Sequence, residues 1–176
     1  VGDGTCHLVR SGDEAIFWDC GSSRSGMGER TIPAAVRAVG AWHVRRAVVT
    51  HANLDHYVCL VDVADAVGLR EVLVNDAFLL EAEHKPWGGA AAVVRLLRAK
   101  GVDVHAISEG HTITVGESTI TILNPPPGAV FAELNDTSIV GLVTTPTADG
   151  DKRLLLSGDL GPEGIAVERQ SGSGRA

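Results

Sequence analysis

The sequence is poor in cysteine, aromatics and positive charge, and it has no long apolar run. Its three cysteines, Cys6, Cys20 and Cys59, stand far apart and form no CxxC pair. That spacing argues against a zinc knuckle or a disulfide framework and leaves the thiols to be read as small buried hydrophobes. Aromatic residues make up only 4% of the chain, so a core has to come from Val, Leu, Ile and Ala. Apolar stretches such as Ala47-Val48-Val49 and Leu154-Leu155-Leu156 are brief, whereas a membrane helix needs roughly 20 such residues. A signal-peptide pattern and an initiator Met are also missing, and the opening at Val1 reads as a fragment of a longer protein. With 15 Lys and Arg against 22 Asp and Glu, the net charge is −7. A broadly basic nucleic-acid surface is therefore disfavoured, while a local, metal-assisted contact with a phosphodiester stays open. The Gly-rich loop from Gly21 to Gly28 lacks the Lys and Ser/Thr of a P-loop, and no GxGxxG occurs, so no soluble nucleotide cofactor is expected.

What is present suits one globular domain. The 176 residues are 44% hydrophobic and 21% charged, enough to build a core without covalent staples. A core of aliphatic residues favours a layered α/β architecture with buried strands. We place the domain at residues 1–168. A flexible tail at 169–176 follows, where Gln170-Ser171-Gly172-Ser173-Gly174-Arg175-Ala176 has linker composition.

Local patterns give an element order. Cys6–Arg10 and Glu14–Asp19 read as a hairpin around Ser11-Gly12-Asp13. A Gly/Ser-rich loop runs to Gly28, and Thr31 with Pro33 opens a helix to about Gly40. Strands are expected at Val44–Thr50, Glu71–Asn75 and Val102–Ile107. Helical spacing covers Tyr57–Val67, stopping at Gly68, and Ala90–Lys100, with Gly101 as C-cap. Thr112–Val115 and Thr119–Leu123 alternate as a second hairpin, Pro125-Pro126-Pro127-Gly128 is a loop, and Ser138–Thr144 and Arg153–Ser157 are apolar strands. A segment from Pro162 starts a helix without completing one.

The chemistry-bearing stretch is Thr50-His51-Ala52-Asn53-Leu54-Asp55-His56. Val48-Val49-Thr50 puts His51 at the carboxyl end of a strand, where α/β sheets place their ligands. Asp55 and His56 return to the same point after a short turn. Two imidazoles and a carboxylate within six residues suit Zn²⁺, Mn²⁺ or Fe²⁺. Taken alone, a His at a strand end is as often structural. Two further strand ends shift the balance: Phe17-Trp18-Asp19-Cys20-Gly21 closes on Asp-x-Gly, and Leu155-Leu156-Ser157-Gly158-Asp159 closes on Gly-Asp. Asp19 and Asp159 thus project from strand ends as His51 does. The other histidines, His7, His43, His84, His105 and His111, read as surface or structural residues, with His84 and His111 in loops. Arg45 and Arg46 read as solvent-facing.

These segments resemble the metallo-β-lactamase superfamily, whose pattern is THxHxDH after a strand, an earlier Asp-x-Gly and a later Gly-Asp. Within it the chain looks most like the soluble C-terminal domain of ComEC-type DNA-uptake (competence) proteins. The supporting segments run in order from Val1-Gly2-Asp3-Gly4 through Ile122-Leu123-Asn124-Pro125-Pro126 and Asn135-Asp136-Thr137-Ser138 to Gly158-Asp159. The resemblance implies an αββα sandwich, shortened at its C-terminal end. It implies His51 in a first metal site, Asp55 and His56 in a second, and Asp159 beside both. Asp19 would support the loop as a hydrogen-bond partner. Asp55 and Asp159 would be the catalytic carboxylates that orient a water.

The pattern departs in three places. Asn53 stands where the superfamily has its second histidine. The later histidine of the first site has Asn135 as its nearest candidate. No His follows His111, which we read as truncation. Asn53 and Asn135 are then weak or substitute ligands, and one divalent ion, Zn²⁺ or Mn²⁺, is expected rather than two. The implied function is a metal-dependent nuclease cleaving DNA, single-stranded or duplex. The implied setting is a bacterial inner-membrane protein, with that protein's own membrane channel domain as partner. The alternatives are a hydrolase of a small ester, thioester or lactam, and a degenerate domain that binds DNA or a partner without catalysis.

Overall fold

The computed structural model describes residues 3–162 and 164–165. The expected tail at 169–176 and the last residues of the expected domain lie outside the described residues. Among the described residues nine strands form two sheets. The first sheet has the order β1 (Cys6–Ser11), β2 (Glu14–Cys20), β3 (Arg46–Val48), β4 (Glu71–Val74), β5 (Asp103–Ala106). Only β1 is antiparallel to its neighbour; β2 to β5 are parallel. The second sheet is an antiparallel meander of β6 (Thr112–Val115), β7 (Ser118–Asn124), β8 (Val140–Thr145) and β9 (Lys152–Leu156).

Period-two alternation divides the core. Ile16, Trp18, Val48 and Leu73 face the second sheet and pack with Ile113, Val115, Ile120, Ile122, Ile139 and Val143. Phe17, Ala47, Val49, Val72 and Val74 point the other way, onto α1 (Ile32–Ala38), α2 (Leu60–Val67) and α4 (Gly89–Ala99). Valine and isoleucine suit both faces of a buried sheet, which is why a chain so poor in aromatics closes two cores. Among the described residues no helix covers the outer face of the second sheet. Leu154 and Leu155, on opposite faces of the edge strand β9, are 58% and 52% exposed.

The structure corrects several expectations. An additional helix, α3 (Asp76–His84), follows β4 directly. Its mixed surface lacks a clean apolar stripe, and only Phe78 is buried on it. His84 therefore ends a helix rather than lying in a loop. The helix expected from Tyr57 begins at Leu60, because residues Leu54–His56 are taken up in a tight 3₁₀ turn. The strand expected over Val44–Thr50 pairs only at Arg46–Val48, its end being released to form the site. Thr31 makes no side-chain cap; an irregular helical turn at Met27–Thr31 leads into α1 instead. Arg46 is not simply solvent-facing: its guanidinium donates to the Thr114 carbonyl on β6 at 2.5 Å and so ties the sheets together.

Candidate metal centre

Each chemistry-bearing residue leaves the same edge of the first sheet or the facing end of the second. The hairpin register carries Cys6 opposite Cys20 and His7 opposite Trp18, leaving Asp19 opposite no residue. Asp19 is thus the extra residue of a β-bulge, with φ at 58°, the only positive value among described non-glycine residues. Asp tolerates this left-handed conformation better than most side chains. The bulge turns its carboxylate inward. Oδ1 accepts the Thr50 amide at 2.7 Å, and Oδ2 accepts the Thr50 hydroxyl at 3.0 Å. Oδ2 also lies 2.9 Å from His56 Nδ1. One buried carboxylate thereby fixes both ends of the turn.

His51 is fully buried and its Nδ1 is engaged by the hydroxyls of Thr50 at 3.0 Å and Ser138 at 3.4 Å. Its Nε2 has no hydrogen-bond partner. His56 Nε2 lies 3.3 Å from Asp159 and 3.8 Å from Asp55, and both carboxylates are about half exposed. The His51 and His56 rings are 4.1 Å apart. Donor atoms of His51, His56 and Asp159 all lie within 4.8 Å of one another. A buried imidazole nitrogen without a partner, aimed at a second imidazole and a carboxylate, fits a divalent cation. Burial holds the His51 imidazole below its usual pKa, with His56 adding to the effect. Burial also acts downward on His56, but the Asp19 hydrogen bond and the charges of Asp19, Asp159 and Asp55 outweigh it, and its pKa is raised.

Asn53 and Asn135 meet each other instead: the Asn53 amide donates to Asn135 Oδ1 at 2.9 Å. The donors of His51, His56 and Asp159 form one cluster, Asp55 approaches it at His56, and the two amides are clasped to each other. Asn75, which sequence reasoning took only as the end of a strand, is a further organiser. Its amide donates to the carbonyls of Thr50 at 3.0 Å and Thr137 at 2.6 Å, while its Oδ1 caps α3 at Phe78. Its position at a strand end, like that of Asp19 and His51, was the available signal. Asn124 performs the same task from β7, donating to the Ser138 carbonyl at 2.7 Å.

The glycines of both strand-end motifs have a steric cause. A Cβ on Gly21 would lie 2.1 Å from the Asp55 carbonyl oxygen, so the ligand turn rests directly on this backbone. Gly158 has φ of 54°, and a Cβ there would meet Thr50 Cβ at 2.9 Å. Gly158→Ala combines left-handed strain with overpacking, each on the order of 1–2 kcal/mol. A loss of about 3 kcal/mol in a urea titration is expected; a loss below about 1 kcal/mol would show that the loop yields freely. Asp19→Asn removes the charge and the second acceptor role but little volume. Divalent-ion affinity should fall roughly 10–100-fold, the usual cost of losing an outer partner of a ligating histidine. Calorimetric titration checks it, and unchanged affinity would remove Asp19 from the site's support.

The metallo-beta-lactamase superfamily model matches residues 1–171, and the chain belongs to that superfamily. The fold is shared with BJP-1, a subclass B3 metallo-beta-lactamase of Bradyrhizobium japonicum. The two are 16% identical, with a TM-score of 0.57 over 96% of this chain and 66% of that one. The metallo-beta-lactamase GOB-18 from Elizabethkingia meningoseptica is 18% identical, with a TM-score of 0.58 over 86% of this chain and 53% of that one. A Cronobacter sakazakii metallo-beta-lactamase described by its HARLDQ motif is 19% identical, with a TM-score of 0.58 over 86% and 54%. That motif and His51-Ala52-Asn53-Leu54-Asp55-His56 differ only at the third and sixth letters. The chain spans between about half and two thirds of the length of these structures. No curated protein matches it in sequence. No described helix is long and apolar enough to cross a membrane.

Proposed function

We propose that this chain is a metal-dependent hydrolase domain whose substrates are phosphodiesters, acting as a nuclease on DNA within a DNA-uptake protein. The carrying observation is the unpartnered, buried His51 Nε2 facing His56 Nε2 and Asp159. His51, His56 and Asp159 would hold one ion, Zn²⁺ or Mn²⁺, with Asp55 alongside. When bound, such an ion activates water and polarises the scissile group. The half-exposed Asp55 and Asp159 would be placed to orient a water and accept its proton. His56, fixed through Nδ1 by Asp19, keeps Nε2 turned to the site. The clasped amides of Asn53 and Asn135 offer hydrogen bonds to a substrate oxygen rather than strong ligands.

The choice of phosphodiester rests on the ComEC-type segments and on the openness of the site. Asn53 lines a hollow with Tyr57, Lys85 and Gly89 on one side, and a second hollow with Glu133, Asn135 and Gly161 on the other. We read this arrangement as suited to an extended strand rather than a compact lactam; the cation at its edge, Lys85, is paired with Glu81 at 2.9 Å. The parent protein is then a bacterial inner-membrane protein with its own channel domain as partner.

The test is hydrolysis of bis(p-nitrophenyl) phosphate and of single-stranded and duplex DNA with Mn²⁺ or Zn²⁺. A chromogenic cephalosporin and a thioester are run alongside. Metal-dependent DNA cleavage lost in Asp159→Asn is the expected result. Lactam or thioester turnover without DNA cleavage would move the chain to the small-substrate class. Metal or DNA binding with no turnover of any substrate would make it a binding domain.

A further inference from the structure

The bulge that aims Asp19 is closed by a pair of thiols. Cys6 and Cys20 are register partners across β1 and β2, directly beside the unpaired Asp19. The two thiols share a hydrogen bond. That bond holds the Cys6 thiol below its ordinary pKa against the opposing effect of burial, and it raises Cys20, whose burial adds to the rise. Cys6 is half buried and Cys20 fully buried. The more acidic thiol is thus also the one an oxidant reaches. Cys59 sits close behind: its amide donates to the Cys20 carbonyl at 3.1 Å. All three cysteines are free.

We propose that Cys6 and Cys20 form a peroxide-sensitive pair whose disulfide clamps the bulge carrying Asp19. Cross-strand partners lie within the Cα separation that a disulfide spans, so closure needs no rearrangement of the sheet. The Cys6 thiolate attacks the peroxide O–O bond and becomes a sulfenic acid, releasing an alcohol or water with one proton taken up. The Cys20 thiol then displaces the sulfenic oxygen as water and closes the S–S bond. In sum, two thiols and one hydroperoxide give one disulfide, one alcohol and one water. The pair is independent of the hydrolase reading, because it requires only the hairpin.

The whole chain is treated with equimolar hydrogen peroxide, unfolded, alkylated and mapped by mass spectrometry. One alkylated cysteine, Cys59, and a peptide linked through Cys6 and Cys20 are expected. Reduction with dithiothreitol should restore three alkylated cysteines. The closed loop is short, and the oxidised chain should melt about 6–10 °C above the reduced one. Cys6→Ser should fold, since the site is only partly buried, and should show neither the link nor the shift; Cys59→Ala should keep both. Three free thiols after peroxide, a link through Cys59, or over-oxidised Cys6 without a link would overturn the pairing. A linked chain that melts no higher than the reduced one would overturn the clamp.

Discussion

Replacing His56 with Ala, or Asp159 with Asn, should abolish divalent-ion binding. His56 joins the support to the cluster: Nδ1 is 2.9 Å from Asp19, and Nε2 faces both Asp159 and Asp55. Its loss removes a donor and releases the carboxylate that positions the turn. The fall in affinity should exceed the roughly 10–100-fold typical of losing an outer partner. Asp159→Asn is the cleaner variant, since that side chain is about half exposed and its replacement leaves the buried network intact. Titration calorimetry with Mn²⁺ and Zn²⁺ is the measurement, with thermal melts to confirm folding. Undiminished binding in both variants would place the ion elsewhere.

The double substitution Asn53→His with Asn135→His should convert the proposed one-ion site into a two-ion site. At present the two amides satisfy each other at 2.9 Å and present no imidazole to a cation. Two histidines there, with His51 adjacent, would supply three nitrogen donors, the number a catalytic zinc site uses. Stoichiometry should rise from one to two, with the ions roughly 3.5–4 Å apart, and hydrolysis should increase. Calorimetry gives the count, and spin coupling in the Mn²⁺-loaded protein reports the pairing. Two tight ions in the unsubstituted chain, or a single ion in the double variant, would contradict the assignment.

The strand ends were legible because their side chains differ in kind from the apolar runs before them. Asp19 and His51 each close a buried apolar run with a group that needs a partner, Asp159 follows the apolar run of β9, and the structure brings all three to one place. Period-two alternation gave the β6–β7 hairpin, whereas the two facing sheets came from the resemblance to the metallo-β-lactamase superfamily. Helix α3 was not legible, since its burial falls almost wholly on Phe78 and its cap is made by an asparagine that also serves the site. The pairing of Asn53 with Asn135 could not be read either. The residues are 82 positions apart, and nothing local distinguishes an amide that meets an amide from one that meets water. The same holds for Cys6 and Cys20: their distance in sequence argued against a pair, and only the register of the hairpin unites them.

The stitching between sheets also sets an order of events. The Ile139 amide donates to the Thr50 carbonyl at 2.8 Å, and Asn75 reaches Thr137 across 62 positions of chain. These bonds exist only once the second sheet has docked on the first. The first sheet and its helices can mature through nearer contacts, whereas the site depends on loop closures of the longest range, which form slowly. The Ile139 amide is therefore a clock for completion of the site, and deuterium labelling during refolding should find it protected after the amides of β3 and β4.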